Sequence, residues 1–301
     1  RDKAIVLYVI GEEGIENGLA ILGAHIDSPR LDLKQNPLYE DSDLALLKTH
    51  YYGGIKKYQW VSIPLAMHGV IILENGQKIE VSIGEDDNDP VIGISDLLPH
   101  LAKDQMKKTM DEGIEGEDLN ILAGSIPVKD KDAKERVKKN ILKLLNEKYN
   151  ICEEDLVSAE LEIVPAGKAR DYGLDRSMIM AYGHDDRVCS YTSFRAIAEL
   201  DNSKKTLACI LVDKEEIGSV GASGMHSKFF ENTLAEIISL KEGYSDIKLR
   251  RCLTGSKMLS SDVSAAHDPN YPSVSDKMNT AYLGKGIAFN KYTGSRGKGG
   301  C

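Results

Sequence analysis

Apolar residues are distributed along this chain in two textures. Four stretches are apolar almost without interruption: Ala4–Ile10, Leu19–Ala24, Ser177–Tyr182 and Thr206–Asp213. Runs of this length match sheet strands covered on both faces. Between the last two, Asp186–Leu200 places Val188, Phe194, Ile197 and Leu200 at helical spacing, which predicts a strand–helix–strand unit of the α/β type. The middle of the chain reads differently. Val61–Ile72 and Lys78–Ile83 are β-rich and flank Glu74–Gly76, a turn that suits a hairpin. Asp130–Asn150 is a Lys-rich helical pattern with Val137, Ile141, Leu144 and Leu145 as its apolar positions and a solvated charged face. The pattern predicts a split α/β domain, residues 1–35 and 168–301, interrupted by a β-rich module at 36–167. No internal repeat is visible.

A chain of 301 residues is long for a single core, which agrees with two modules. No apolar run approaches the ~18 to 20 residues that a membrane span needs. Acidic residues outnumber basic ones, 47 to 38, and nothing in that balance favours nucleic acid, whose phosphates call for clustered Lys and Arg. The five cysteines are widely spaced and no CxxC occurs. This excludes a cysteine-rich zinc finger and points to a reducing, cytoplasmic compartment. Arg1 is an unusual first residue and suggests that sequence precedes it. The Gly-rich Gly294–Gly300 is no phosphate loop, because Lys298 is followed by Gly rather than Ser or Thr.

Candidate chemistry collects just after predicted strands, the edge where open α/β sheets bind ligands. His25-Ile26-Asp27 follows Leu19–Ala24, and alternation puts His25 and Asp27 on one side of the chain. It offers an imidazole ligand with a supporting carboxylate, or else a surface histidine beside a turn. His184-Asp185-Asp186 follows the third run. Its adjacent carboxylates repel, and either a bound cation or a helix N-cap relieves that. Glu215-Glu216 follows the strongest strand. Such a pair can divide into a metal ligand and a general base, or simply open an acidic helix. Ser261-Asp262 follows Met258-Leu259, with His267 and Asp268 beyond, and alone suggests a turn or cap. Together, carboxylates and an imidazole suit zinc, manganese or cobalt, and a two-metal centre with a carboxylate base is a hydrolytic design. Nucleophilic routes are disfavoured. No GxSxG elbow occurs, and Cys189 follows two aspartates that raise a thiol pKa, so it is expected to pack within its helix.

Five stretches then carry a family likeness: Gly23–Leu33 (GAHIDSPRLDL), Tyr52–Ile55 (YGGI), Asp185–Asp186, Glu215–Ser219 (EEIGS) and Ser261–Tyr271 (SDVSAAHDPNY). In kind and order they resemble the aspartyl aminopeptidase family of dizinc metallopeptidases, and the likeness covers essentially the whole chain. The resemblance implies a three-layer α/β/α catalytic domain with an inserted β-rich dimerisation domain, two zinc ions per subunit and peptide substrates, with N-terminal Asp or Glu the expected preference. It also implies a homo-oligomer, a tetrahedral dodecamer in relatives. His25 resembles a zinc ligand, Asp27 the acid supporting the site, and Asp185 the bridging carboxylate. Asp186 stands where relatives often carry Asn, with a cis peptide expected between the two aspartates. Glu215 resembles the general base, Glu216 a ligand of the second zinc, and Asp262 the remaining ligand beside His25. His100 lies near the position of a histidine that relatives extend into a neighbouring subunit, or is a solvent histidine on a helix. The family's fifth ligand, a histidine near the C-terminus, has no counterpart before Cys301. Either the sequence continues past that point, or one zinc lacks a ligand and the site is dead; the alternative to an aminopeptidase is a non-catalytic or other amide-hydrolysing member of the same scaffold. Asp186-Arg187 and Lys56-Lys57-Tyr58 mark a divergent bacterial branch.

Overall fold

A computed structural model of the chain describes residues 3–291. Arg1, Gly294–Gly300 and Cys301, singled out above, lie outside the described residues. The chain divides into two compact units. One comprises the stretch up to Ile26, His184–Asp213 and the chain from Gly221 onward; the other comprises Asp27–Gly183 and Lys214–Val220. The second unit contains the whole of 36–167 and extends beyond it on both sides.

The first unit is built on a four-stranded sheet, β1 (Ile5–Val9), β11 (Leu207–Val212), β2 (Ala20–His25) and β12 (Lys257–Ser260), in the order β1-β11-β2-β12. β1 runs antiparallel to β11, while β11, β2 and β12 are mutually parallel. Alternation along β11 explains why both faces are covered. Ala208 and Ile210 point into a core with Leu234 and Ile238 of α3 (Phe229–Glu242) and Leu249 and Cys252 of α4 (Asp246–Gly255). Cys209 and Leu211 point the other way, against Ala24 of β2 and Ile197 of α2 (His184–Ala198). The unit is therefore a helix–sheet–helix sandwich. Replacing Ile210, at the centre of the larger core, by Ala is expected to destabilise the full-length protein by about 2–5 kcal/mol in urea unfolding followed by circular dichroism; a change under about 1 kcal/mol would contradict that placement.

Two features of this unit depart from the apolar pattern. The helix expected at Asp186–Leu200 is present as α2, but Val188, Phe194 and Leu200 are exposed. The face that packs inward is Asp186, Ser190, Ser193 and Ile197, so small hydroxyl side chains let the helix lie close to the sheet. α3 and α4 were not anticipated from the pattern. At the start of α4, Ser245 accepts a hydrogen bond from the Lys248 amide at 3.3 Å, an ordinary N-cap.

The second unit is an antiparallel six-stranded sheet in the order β6-β5-β8-β3-β4-β7. Its strands are β3 (Arg30–Asp41), β4 (Leu44–Tyr52), β5 (Leu65–Ile72), β6 (Lys78–Ile83), β7 (Ile121–Gly124) and β8 (Glu160–Pro165). β3 and β4 form a hairpin whose two turn residues, Ser42 and Asp43, both have positive φ, as a tight primed turn requires. The expected hairpin around Glu74–Gly76 joins β5 to β6. Helix α1 (Arg136–Tyr149), inside the expected Asp130–Asn150, packs Val137, Ile141 and Leu145 on the core of this sheet, which includes Leu31, Leu65 and Ile163. The run Ser177–Tyr182 requires correction. It is not a buried strand: only Met178–Met180 pairs, as β10 with β9 (Arg170–Tyr172), and all three residues are exposed. A two-stranded ribbon has no sheet neighbours to cover its apolar side chains, so the run misled. His100, expected on a helix if it was a solvent residue, is exposed in a turn.

Candidate metal centre

In the first unit, three separated parts of the sequence meet at one histidine. His25 is the last residue of β2, and 3% of it is exposed. Asp262 follows β12 by two residues, and the Ser261 amide donates to the Gly23 carbonyl at 2.7 Å, which continues the β2–β12 pairing toward the site. Asp185 and Asp186 have non-helical backbone angles at the front of α2, and the peptide between them is cis, as the family resemblance implied. α2 is fastened to the end of β2 twice. The Ser190 hydroxyl donates to the His25 carbonyl at 2.7 Å, and the His25 amide donates to Asp186 Oδ2 at 3.4 Å.

These fixings aim acids at the imidazole. His25 Nε2 lies 3.0 Å from Asp185 Oδ1 and 3.8 Å from Asp262 Oδ1. Ligand atoms of His25, Asp186 and Asp262 all fall within 4.8 Å of one another. Asp186 is wholly buried and its Oδ1 has no hydrogen-bond partner. Burial pushes the Asp186 carboxyl above the usual carboxylate range, with the hydrogen bond to Cys189 and the His25 amide opposing it. Asp262 is also pushed up, first by loss of hydration and then by the Asp185 carboxylate, although its side chain stays largely open to solvent. Three carboxylates converging on one imidazole, one with an orphaned buried oxygen, form an arrangement that repels itself unless a cation is present. The donor set, one imidazole nitrogen and carboxylate oxygens, fits zinc.

The thiol at Cys189 is not a nucleophile in waiting. It lies in α2 as expected, and burial, together with Asp186, pushes it up to about 12. The described cysteines 152, 189, 209 and 252 are all free.

The remaining candidates assemble in the second unit. Asp27 is buried and accepts hydrogen bonds from the Tyr52 hydroxyl at 2.6 Å and from the Glu215 and Glu216 amides at 3.2 Å each. Glu215–Ile217 is a single 3₁₀ turn, not the start of an α-helix, and it closes tightly: the Ser219 amide donates to the Lys214 carbonyl at 2.6 Å and the Gly218 amide to the Glu215 carbonyl at 2.8 Å. Glu215 is exposed and Glu216 half-buried. His267, whose ring lies 5.3 Å from that of Tyr282, is not among the His25 group. Sequence reasoning left two participants unassigned. Asp186 was set aside as an Asn replacement, and Tyr52 was visible only as part of YGGI.

The M18 peptidase profile, described as aminopeptidase I zinc metalloprotease, matches residues 1–299. The chain belongs to the M18 family. Across its whole length this M18 chain is 68% identical to a probable M18 family aminopeptidase 1 of Clostridium acetobutylicum, and it spans 65% of that relative. The crystal structure of aminopeptidase I from C. acetobutylicum matches 99% of the M18 chain at a TM-score of 0.90 and 67% identity, with 64% of the crystallised chain covered. The M18 aminopeptidase structure from Thermotoga maritima matches 98% of it at a TM-score of 0.91 and 46% identity, with 67% covered. A more distant structure, described as the S. cerevisiae mApe1 dodecamer, shares the fold at a TM-score of 0.70 and 20% identity over 93% of the M18 chain and 62% of its own. The M18 chain therefore spans about two thirds of the length of the relatives it matches.

Proposed function

We propose that the full-length protein is a zinc-dependent aminopeptidase, and the observation that carries this reading is the convergence of Asp185, Asp186 and Asp262 on the His25 imidazole. In this reading His25, Asp185 and Asp262 would hold one metal ion and Glu216 would ligate a second. Bound zinc supplies Lewis acidity, polarising the scissile carbonyl and making water acidic enough to lose a proton near neutral pH. Glu215, exposed and held by its backbone amide, takes that proton as the water oxygen bonds to the carbonyl carbon. It returns the proton to the leaving amine as the C–N bond breaks. Asp27 contributes by fixing the backbone of both glutamates.

Three finer features belong to the same reading. Preference for N-terminal Asp or Glu rests on the aspartyl aminopeptidase resemblance. A homo-oligomer rests on resemblance to that family, whose members form tetrahedral dodecamers, and on the dodecamer named for the yeast relative. A cytoplasmic location rests on the free cysteines. No helix among the described residues is long and apolar enough to cross a membrane. The test is hydrolysis of Asp-, Glu- and Leu-p-nitroanilides and of their N-acetylated forms, by full-length protein supplied with zinc, manganese or cobalt. The expected result is metal-dependent cleavage of the free-amine substrates, fastest for Asp or Glu, and none of the blocked ones. Release of acetate from the blocked substrates without release of p-nitroaniline would favour a deacylase, and no cleavage of any with metal bound would favour a non-catalytic member.

A further inference from the structure

One conspicuous part of the family-like sequence has no role in the chemistry above: Tyr52-Gly53-Gly54-Ile55. Its position in the six-stranded unit gives it one. Tyr52 is the last residue of β4, and its cross-strand partner is Arg30, the first residue of β3. The Arg30 guanidinium lies 3.8 Å from the centre of the Tyr52 ring, a cation–π contact, and Lys214 Nζ lies 5.1 Å from that centre. Arg30 is itself fixed, with Nε 2.8 Å from Asp32 Oδ1 on β3 and a terminal nitrogen 3.2 Å from Glu162 Oε1 on the adjacent β8. The ring is therefore clamped by the sheet, and its hydroxyl donates to Asp27 Oδ2 at 2.6 Å. Asp27 in turn takes the amides of Glu215 and Glu216. These are amides at the front of a 3₁₀ turn too short to satisfy them within itself. Gly53 completes the arrangement. Its φ of +74° turns the chain away directly after Tyr52, and a Cβ there would stand 3.2 Å from Glu216 Cβ.

Resting on the aminopeptidase reading, we propose that Tyr52 is a positioning residue for the general base: it locks Asp27, and through Asp27 the Glu215–Ile217 turn, onto the inserted β-sheet. The inserted unit then does more than offer an assembly surface. It carries the base. The stretches around His25, Tyr52 and Glu215, far apart in the chain, serve one end: the sheet sets where the Glu215 carboxylate stands. Without the phenol Asp27 loses the 2.6 Å hydrogen bond, so the turn that carries Glu215 and Glu216 loosens while His25, Asp185, Asp262 and the fold remain.

The test is Tyr52→Phe in the full-length protein, which keeps the ring and its contact with Arg30 and deletes the donor. Tyr51→Phe, at the neighbouring exposed ring that stacks on His50, serves as the control. Two readouts are needed. Amide hydrogen exchange over Glu215–Ile217 is expected to accelerate about tenfold in Tyr52→Phe, the size of one lost hydrogen bond, and to be unchanged in Tyr51→Phe. In steady state kcat is expected to fall about 10- to 100-fold with KM within about twofold, the mark of a misplaced base rather than lost substrate binding. Wild-type exchange or wild-type kcat in Tyr52→Phe overturns the proposal. Should that variant fail to fold, Asp27→Asn, which disturbs the same link from the other side, is read by the same two measurements. The exchange readout needs no substrate, so an inactive wild-type enzyme would overturn the peptidase reading without deciding this one.

Discussion

On the proposed aminopeptidase reading, Glu215→Gln in the full-length protein is expected to lower kcat by about 10²- to 10⁴-fold while leaving KM and bound metal nearly unchanged. The expectation follows from how the two glutamates are presented. Both amides are tied to Asp27, so the backbone of the pair is fixed, but Glu215 is exposed and Glu216 half-buried. The carboxylate open to arriving substrate suits proton transfer, and the more enclosed one suits holding a cation. Glutamine preserves the size of the side chain and its backbone hydrogen bond, and removes the negative charge and with it the capacity to take a proton. Steady-state kinetics with metal analysis on the same preparation decides it. A matching loss of activity in Glu216→Gln without metal loss would reverse the two assignments.

The second large effect concerns His25. Its imidazole is buried against Asp185, Asp186 and Asp262, so a bound cation relieves carboxylate repulsion as well as filling ligand positions. Saturating zinc is therefore expected to stabilise the folded protein by about 3 kcal/mol when its concentration is some 100-fold above Kd. Chelation removes that increment. In His25→Ala, bound zinc is expected to fall from the two per chain of the proposed centre to one or none, peptidase activity to disappear, and the chelator's effect on melting to shrink in proportion to the zinc lost. Calorimetry with and without chelator reads this directly. Equal chelator sensitivity in the variant and the wild type would place the stabilising metal elsewhere.

Legibility in the sequence followed the way each element earns its place. Strands β1, β2 and β11 could be read because a strand covered on both faces must be apolar at every position. α2 could be found but not oriented. Its inward face is Asp186, Ser190 and Ser193, chosen for close approach and for a hydrogen bond to the His25 carbonyl, so hydrophobic periodicity pointed to the wrong side. β3 was missed because RLDLKQNPLYED spends its polar positions on partners such as Asp32 with Arg30, which a pattern cannot see. At the candidate site, residue types brought the clusters at His25–Asp27, Asp185–Asp186, Glu215–Glu216 and Asp262 into view, and the family resemblance chose His25, Asp27, Asp185, Glu215, Glu216 and Asp262 among them. What they could not give was environment. That Asp186 is wholly buried with an orphaned oxygen, and that Tyr52 donates to Asp27, depends on partners more than a hundred residues and 25 residues away, respectively.

Anomalous diffraction at the zinc edge, from crystals of the full-length protein grown with zinc, tests the central claim most directly. A peak is expected within about 2.0–2.2 Å of His25 Nε2 and of carboxylate oxygens from Asp185 and Asp262, with a second peak ligated by Glu216. A zinc-replete crystal with no peak at His25, or with zinc bound only by residues outside this set, would contradict it.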